Sequence, residues 1–258
     1  MTAATSPTST AAAPARRDRI RAQTLTEIKA AARREVVANG PGGIQLRAVA
    51  REVGLTAPAL YRYFPSLEDL IEAVTVDLFG ELCDAMEAGA AGIDDPFQRM
   101  LELARAFRRW AMANRHEFGL LFAIAPTTFG EQPTNACQAA SDRFGNLFAG
   151  AFIAMWDAAP FPVAADDDVA PDLREGLTAY WSWLTTSVAP HIPLGAVVTF
   201  LEGWIRIFGC VAMEAFGHLS WALPEGEPMF EQVMRSLAEM VHHPEAYVPP
   251  RPAPTFPS

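Results

Sequence analysis

The sequence is poor in cysteine and lacks the short motifs that mark common enzyme classes. Its three cysteines, Cys83, Cys137 and Cys210, are widely spaced without a CxxC pair, which argues against a disulfide framework and a zinc site. GxSxG, HExxH, Walker and dinucleotide-binding patterns are absent, so we expect no enzyme, no cofactor and no metal. An all-helical enzyme is the unfavoured alternative, because Asp166–Asp168 and His242-His243 offer acid–base groups, although a solvated turn and a helix end explain them more simply.

Strand-like alternation, a signal peptide and an unbroken membrane span are also missing. Leu, Ala, Met, Phe and Trp outnumber runs of β-branched residues, which predicts an all-α chain. Residues 1–21 lack the basic-then-apolar order of a signal peptide, so we predict a disordered, basic-ended arm on a cytoplasmic protein. Gly176–Leu201 carries no charged residue, but Pro190, His191 and Pro193 interrupt it, which predicts two buried helical segments joined by a turn and no membrane partner.

Positive charge is scarce overall but concentrated near the N-terminus. The formal net charge is −10, which by itself argues against binding a polyanion. Residues 16–65, however, hold ten basic and four acidic residues. This asymmetry suggests a basic nucleic-acid-binding unit attached to an acidic body.

Helical periodicity and punctuation predict four helices in the basic region. The first runs from about residue 21 to residue 39 and ends in a Gly/Pro-rich run. Apolar spacing from Leu46 predicts a short second helix, and Gly54 supplies the left-handed turn that follows it. Thr56 can cap a third helix, and the capping-box spacing after Ser66 predicts a long fourth. The later helices are predicted at about 96–114, 117–124, 136–157, 172–187, 195–219 and 229–242.

A short helix, a glycine turn and a second short helix are typical of the helix-turn-helix, here at residues 45–64. The stretch QLRAVAREVGLTAPALYRYFPSLEDLIEAV resembles the N-terminal domain of TetR/AcrR-family regulators, in its A-x-x-x-G-[LV]-[ST] turn and its LYxxFPSxxxL exit. The resemblance covers about residues 22–82. It implies a transcriptional regulator, by default a repressor and alternatively an activator, that binds a palindromic double-stranded DNA operator as a homodimer.

The resemblance also implies which residues contact DNA. It places Gln45, Leu46 and Arg47 at the start of the second helix, facing the DNA backbone. The remaining expected contacts lie on the groove-facing side of the third helix. Thr56 and Tyr61 can offer hydroxyls to phosphate, and Arg62 can bind guanine or phosphate. Tyr63 can equally pack beneath the helix, and an interaction module without DNA is a further alternative. The expected contacts are Gln45, Arg47, Thr56, Ala57, Ala59, Tyr61, Arg62 and Tyr63.

Residues 83–247 are predicted to form a helical regulatory and dimerisation domain, followed by a Pro-rich disordered tail at 248–258. The stretch FLEGWIRIFGCVAMEAFGHLSW resembles a C-terminal domain type of the family named for a Trp-His-Gly signature, with Phe208 where the signature has His. This helix is apolar nearly all round, which favours a dimer interface, although burial within one bundle is the alternative. The predicted interface residues are Trp204, Phe208, Val211 and Phe216.

Aromatic residues in the intervening helices suggest a pocket for a small apolar or aromatic effector. Ordinary core packing is the alternative for most of them. Such a ligand would regulate by binding one conformation more tightly and changing the spacing of the recognition helices. The predicted pocket residues are Trp110, Phe122, Phe148, Phe152, Trp156 and Trp181.

Overall fold

The computed structural model describes residues 12–124 and 135–250, and within those ranges the chain forms helices and no β-strand. The all-α prediction is therefore confirmed. The helices are α1 (Ala12–Asn39), α2 (Leu46–Glu52), α3 (Ala57–Leu60), α4 (Leu67–Gly89), α5 (Pro96–Ala113), α6 (Arg115–Ile124), α7 (Ala136–Ala158), α8 (Pro171–Ser187), α9 (Leu194–Ala215) and α10 (Glu227–Met240). The described residues fall into two units, an N-terminal unit up to Thr75 and a C-terminal unit from Val76.

Helix α1 begins earlier than the sequence predicted. Residues 12–21, assigned to a disordered arm, are helical. The segment is rich in Ala and Arg, which are strong helix formers, and Pro14 falls in the first turn, where proline is tolerated. Residues 1–11 of the predicted arm and residues 251–258 of the predicted tail lie outside the described residues.

The N-terminal unit has a small apolar core whose turns follow the predicted punctuation. Gly40 and Gly54 adopt φ values of 79° and 69°, in the left-handed region that glycine tolerates, directly after α1 and near the end of α2. Ser66 accepts a hydrogen bond from the Asp69 amide at 3.0 Å and donates to the Asp69 carboxylate at 2.7 Å, so the predicted cap of α4 is present. The fully buried core side chains include Ile28, Val36, Val49, Leu60 and Leu70.

Aromatic packing dominates the core of the C-terminal unit. The Phe107 ring lies at its centre, with five other rings within 6.3 Å of its centroid. These are edge-to-face and tilted contacts, the arrangements that aromatic pairs prefer. The five rings belong to Phe118, Phe122, Phe144, Phe148 and Trp204.

The uncharged stretch around residues 176–201 forms two helices joined by a turn, as predicted, because α8 ends at Ser187 and α9 begins at Leu194. The prediction that both segments are buried is wrong for α8, in which only Leu184 is buried. Asp166 accepts a hydrogen bond from the Leu194 amide at 3.1 Å, so this member of the acidic triplet caps α9 rather than forming only a solvated turn. Helix α9 has 22 residues, and an 18-residue window within it has a mean hydropathy of 1.6. By length and composition alone it could cross a membrane. Because only 22% of that window is buried, α9 keeps an apolar surface outside the core of its own chain.

Candidate DNA-binding site and ligand pocket

The predicted recognition helix is short and begins at a capping threonine. Thr56 Oγ1 accepts a hydrogen bond from the Ala59 amide at 3.3 Å, and Pro58 occupies the first turn, where its missing N–H costs little. The regular helix ends at Leu60, before the predicted end at Phe64. One further helical turn follows, because the Phe64 amide donates to the Leu60 carbonyl, four residues earlier, at 3.0 Å. Leu60 and Phe64 are buried, as expected of core residues.

This packing leaves polar side chains on the outer surface of the segment. Thr56, Tyr61 and Arg62 are exposed, with Tyr61 at 49%. Ala57 and Ala59 are half-buried and present only methyl groups. The surface therefore combines two hydroxyls with a guanidinium, groups that hydrogen-bond phosphate oxygens or base edges.

Tyr63 has a different environment from its neighbours. It is half-buried, and the Arg21 guanidinium carbon lies 5.4 Å from its ring centroid. A cation at this distance from an aromatic ring is attracted by its negative face. Tyr63 thus packs against α1, which corresponds to the packing alternative considered from the sequence.

The start of α2 presents two more polar side chains. Gln45 is extended, and its carbonyl accepts from the Ala48 and Val49 amides at 2.9 and 3.0 Å. The Gln45 side chain makes no capping bond, and both Gln45 and Arg47 are exposed. These two side chains are available for an external partner, on the same unit as Tyr61 and Arg62.

The C-terminal unit contains a cavity of about 690 Å³ whose walls come from α4, α6, α7, α8 and α9. Its volume lies within the range of small-molecule sites. Nine of its sixteen described lining residues are aromatic. The lining consists of Phe79, Leu121, Phe122, Ser141, Phe144, Gly145, Phe148, Gly176, Leu177, Ala179, Tyr180, Trp183, Phe200, Leu201, Trp204 and Phe208.

Two of the six predicted pocket residues, Phe122 and Phe148, line this cavity. Phe148 and Phe152 line an adjoining cavity of about 90 Å³. Sequence reasoning missed most of the wall, although Phe200, Trp204 and Phe208 recur at a helical spacing of four residues.

The three tryptophans predicted for the pocket are absent from the described lining of both cavities, so the prediction is wrong for them. Trp110 is buried in α5 with 8% exposure. Trp156 packs edge-on against Phe161 at 5.2 Å. The Trp181 indole donates to the Ile192 carbonyl at 3.0 Å, which joins α8 to the turn before α9.

The four residues predicted for the dimer interface differ in how exposed they are. Val211 is fully buried in its own chain, so it offers no surface to a second copy. Trp204 and Phe208 are half-buried against rings of the same chain, with Trp204 at 5.2 Å from Phe148 and Phe208 at 5.1 Å from Phe122. Phe216 is 52% exposed. The remaining exposed apolar side chains of α9 are Ile205 at 67% and Met213 at 45%.

Comparison with known proteins gives two family models that match successive parts of the chain. Residues 28–74 match the model described as bacterial regulatory proteins, tetR family, and residues 100–237 match the one described as tetracyclin repressor-like, C-terminal domain. The first match contains the whole segment 45–64. The second begins within α5, includes α6 to α9 and ends within α10.

Individual relatives and solved structures agree with these matches. The HTH-type transcriptional regulators Mb1846 of Mycobacterium bovis and Rv1816 of Mycobacterium tuberculosis are each 30% identical over 206 residues, covering 78% of this chain and 84% of the relative. The crystal structure of the regulatory protein SCO4313 has a TM-score of 0.63 at 23% identity, covering 86% of this chain and 98% of that one. RolR in complex with its ligand resorcinol has a TM-score of 0.54 at 13% identity, covering 92% and 100%. The two structures show a shared fold.

Proposed function

The chain belongs to the tetR family of bacterial regulatory proteins, and we propose that it is a cytoplasmic repressor that binds a palindromic operator as a homodimer and releases it on binding a small molecule. The observation that carries this proposal is the exposed surface of Thr56, Tyr61 and Arg62 on a helix-turn-helix. Repression is proposed because the C-terminal match is described as tetracyclin repressor-like. Its curated relatives are transcriptional regulators, so we propose no catalytic role.

DNA binding by this surface combines positioning and base contacts. Gln45 and Arg47 at the start of α2, with the hydroxyls of Thr56 and Tyr61, are suited to phosphate oxygens, which fix the unit on the duplex. Arg62 is the side chain best suited to a guanine edge, because its planar fork can donate two parallel hydrogen bonds. Ala57 and Ala59 limit further base contacts to methyl groups. Most of the affinity would therefore come from contacts to the DNA phosphates and would fall steeply with salt.

Dimerisation would use the outer face of α9. Ile205, Met213 and Phe216 are exposed there, and Met229 on α10 is 43% exposed. An apolar face of this kind is unfavourable in water and favourable against an identical copy. Phe216 is retained from the sequence-based interface, whereas Ile205 and Met213 replace Val211, Trp204 and Phe208. We also propose that the C-terminal unit is of the Trp-His-Gly type, with Phe208 packed among aromatic rings in place of the signature His.

The effector would bind the cavity of about 690 Å³ in the C-terminal unit. The same fold holds resorcinol in RolR, which supports a ligand-binding role. The effector must bind the conformation that releases DNA more tightly than the operator-bound conformation, since a ligand with equal affinity for both shifts nothing. Phe79, a wall residue, lies on α4, whose first turns belong to the N-terminal unit.

The test is genomic footprinting with the purified protein, followed by anisotropy titration on the bound sequence. Arg62→Ala should weaken binding by about 5- to 150-fold, corresponding to about 1–3 kcal/mol, and Tyr61→Ala with Arg62→Ala should abolish the footprints. Arg109→Ala, which removes a 57% exposed arginine of the C-terminal unit, is the matched control and should leave affinity unchanged. Size-exclusion chromatography checks that the double variant stays dimeric. Full operator binding by a folded double variant would overturn the proposed DNA surface and favour an interaction module.

A further inference from the structure

The composition of the large cavity restricts the chemistry of its ligand. We propose that it binds an uncharged, planar polycyclic aromatic compound that carries a hydrogen-bonding group. The inference rests on the proposed function for its regulatory consequence, but ligand binding itself can be measured without DNA.

The charge of the ligand is limited by the cavity wall. Among the described lining residues there is no Asp, Glu, Lys, Arg or His. The polar side chains are the hydroxyls of Ser141 and Tyr180 and the indoles of Trp183 and Trp204. Burial raises the pKa of the Tyr180 hydroxyl, which keeps it neutral. An ionised ligand would leave water without a compensating charge, which is strongly unfavourable.

A charged group close to this region is already paired. Arg143 on α7, between the lining residues Ser141 and Gly145, donates to Asp84 and Glu87 at 2.8 Å each. Its charge is thus compensated within the protein. A ligand carboxylate would have to compete with two protein carboxylates for it, so Arg143 does not make the cavity an anion site.

The shape of the ligand follows from the arrangement of the aromatic rings. Phe144 lies 5.5 Å from Phe122 and 5.6 Å from Trp204, which joins walls from α6, α7 and α9 into one cluster. Tyr180 and Trp183 on α8 pair with each other at 5.9 Å. Nine aromatic rings thus line the cavity, and a flat ring system placed among them can stack on their faces or meet their edges at the separations that aromatic pairs favour.

The adjoining cavity does not compete for the same ligand. Its volume is about 90 Å³, and its wall includes Met100, Met155 and Met234. Phe200 and Trp204 line both cavities and therefore form part of the partition. A polycyclic ligand exceeds the small volume, which leaves the large aromatic cavity as its site.

The test uses hydroxypyrene as the neutral probe, with pyrene carboxylate and pyrene methylammonium as charged analogues of the same ring. Isothermal titration of the full-length protein should show saturable binding of hydroxypyrene, and binding of both charged analogues should be weaker by at least about 100-fold. Equal affinity for a charged analogue, or no saturable binding of hydroxypyrene, would overturn the proposal.

Two substitutions on α8 locate the site. Ala179 lines the cavity and is exposed, so Ala179→Trp adds bulk without disturbing the buried core. Thr178→Trp adds the same side chain at an exposed position outside the lining. We expect Ala179→Trp to weaken hydroxypyrene binding by at least about tenfold, with no change for Thr178→Trp. Equal effects of the two variants would show that the probe binds elsewhere and would refute the assignment.

A separate operator titration with and without hydroxypyrene distinguishes the two proposals. Binding of the probe to the cavity without any change in operator affinity would contradict ligand-controlled release and leave the ligand class standing. Absence of operator binding by the free protein would contradict the proposed function alone.

Discussion

The buried ion pair of Arg105 with Glu231 leads to a quantitative prediction for the stability of the C-terminal unit. The two side chains are only 8% and 13% exposed. Arg105 on α5 donates to the Glu231 carboxylate on α10 at 2.9 and 2.6 Å, and to Glu102 at 2.8 Å. Tyr247 adds a hydroxyl donor to Glu231 at 3.0 Å. Replacing Glu231 with Ala therefore leaves a buried guanidinium with half of its carboxylate partners.

The size of the loss can be worked out from this geometry. Removing one partner of a buried ion pair costs about 3–5 kcal/mol, because the other charge stays desolvated. Glu102 remains to compensate Arg105, which places Glu231→Ala near the lower limit, at about 3 kcal/mol. At roughly 2–4 °C per kcal/mol for a unit of this size, the midpoint of thermal unfolding should fall by about 6–12 °C.

Differential scanning fluorimetry checks the value, repeated at several protein concentrations because dissociation of the proposed dimer would also move the midpoint. The matched control is Asp167→Ala, which removes the Arg174 partner at 3.3 Å, where Asp167 is 97% exposed. Exposed pairs contribute about 0–1 kcal/mol, so this variant should unfold close to the parent. The double replacement of Arg105 and Glu231 by Met should lose less than Glu231→Ala, since it removes both charges. Equal midpoints for Glu231→Ala and Asp167→Ala would refute the reasoning.

Three further predictions concern backbone packing, thiol chemistry and assembly. Gly195→Ala should destabilise the protein by about 1–3 kcal/mol in urea unfolding, because its methyl group would clash with a neighbouring backbone carbonyl, whereas Gly150→Ala, with open space around it, should stabilise it by about 0.5–1 kcal/mol; the opposite order would contradict the packing. Burial raises the pKa of the Cys83 thiol from 9.0 to about 11, so alkylation at mildly alkaline pH, followed by mass spectrometry, should be about 100-fold slower in the folded than in the unfolded chain; equal rates would exclude a buried thiol. Ile205→Glu should convert the proposed dimer to a monomer in analytical ultracentrifugation, while Leu173→Glu, at an exposed apolar site of α8, should not; a dimeric Ile205→Glu would place the interface elsewhere.

Most helix boundaries were predictable because local chemistry sets them. Gly40 and Gly54 require backbone conformations that other residues avoid, and Ser66 with Asp69 forms its cap within four residues. The start of α1 was not predictable in this way. It has no apolar stripe, and a run of Ala and Arg is equally compatible with a solvated arm until the whole helix supports it.

The candidate DNA surface was predictable at the level of exposure, since Leu60 and Phe64 fix which side of α3 is buried. Tyr63 shows the limit of this reasoning. Its packing depends on Arg21, which is far away in sequence, at the predicted start of the first helix. Contacts of this kind depend on tertiary structure, and local pattern carries no information about them.

The all-round apolar character of α9 was correctly recognised, but one dimer interface does not explain it. Ile207 and Val211 face the core of their own chain, and Trp204 lines the cavity of about 690 Å³. Ile205 faces outward and is 67% exposed. Residues 204, 205 and 207 lie within a single helical turn, so a hydrophobicity pattern averages the three environments into one signal. Separating them requires knowing which neighbour each side chain contacts, and for this reason the proposed interface uses Ile205 in place of Val211, although both residues lie on the predicted helix.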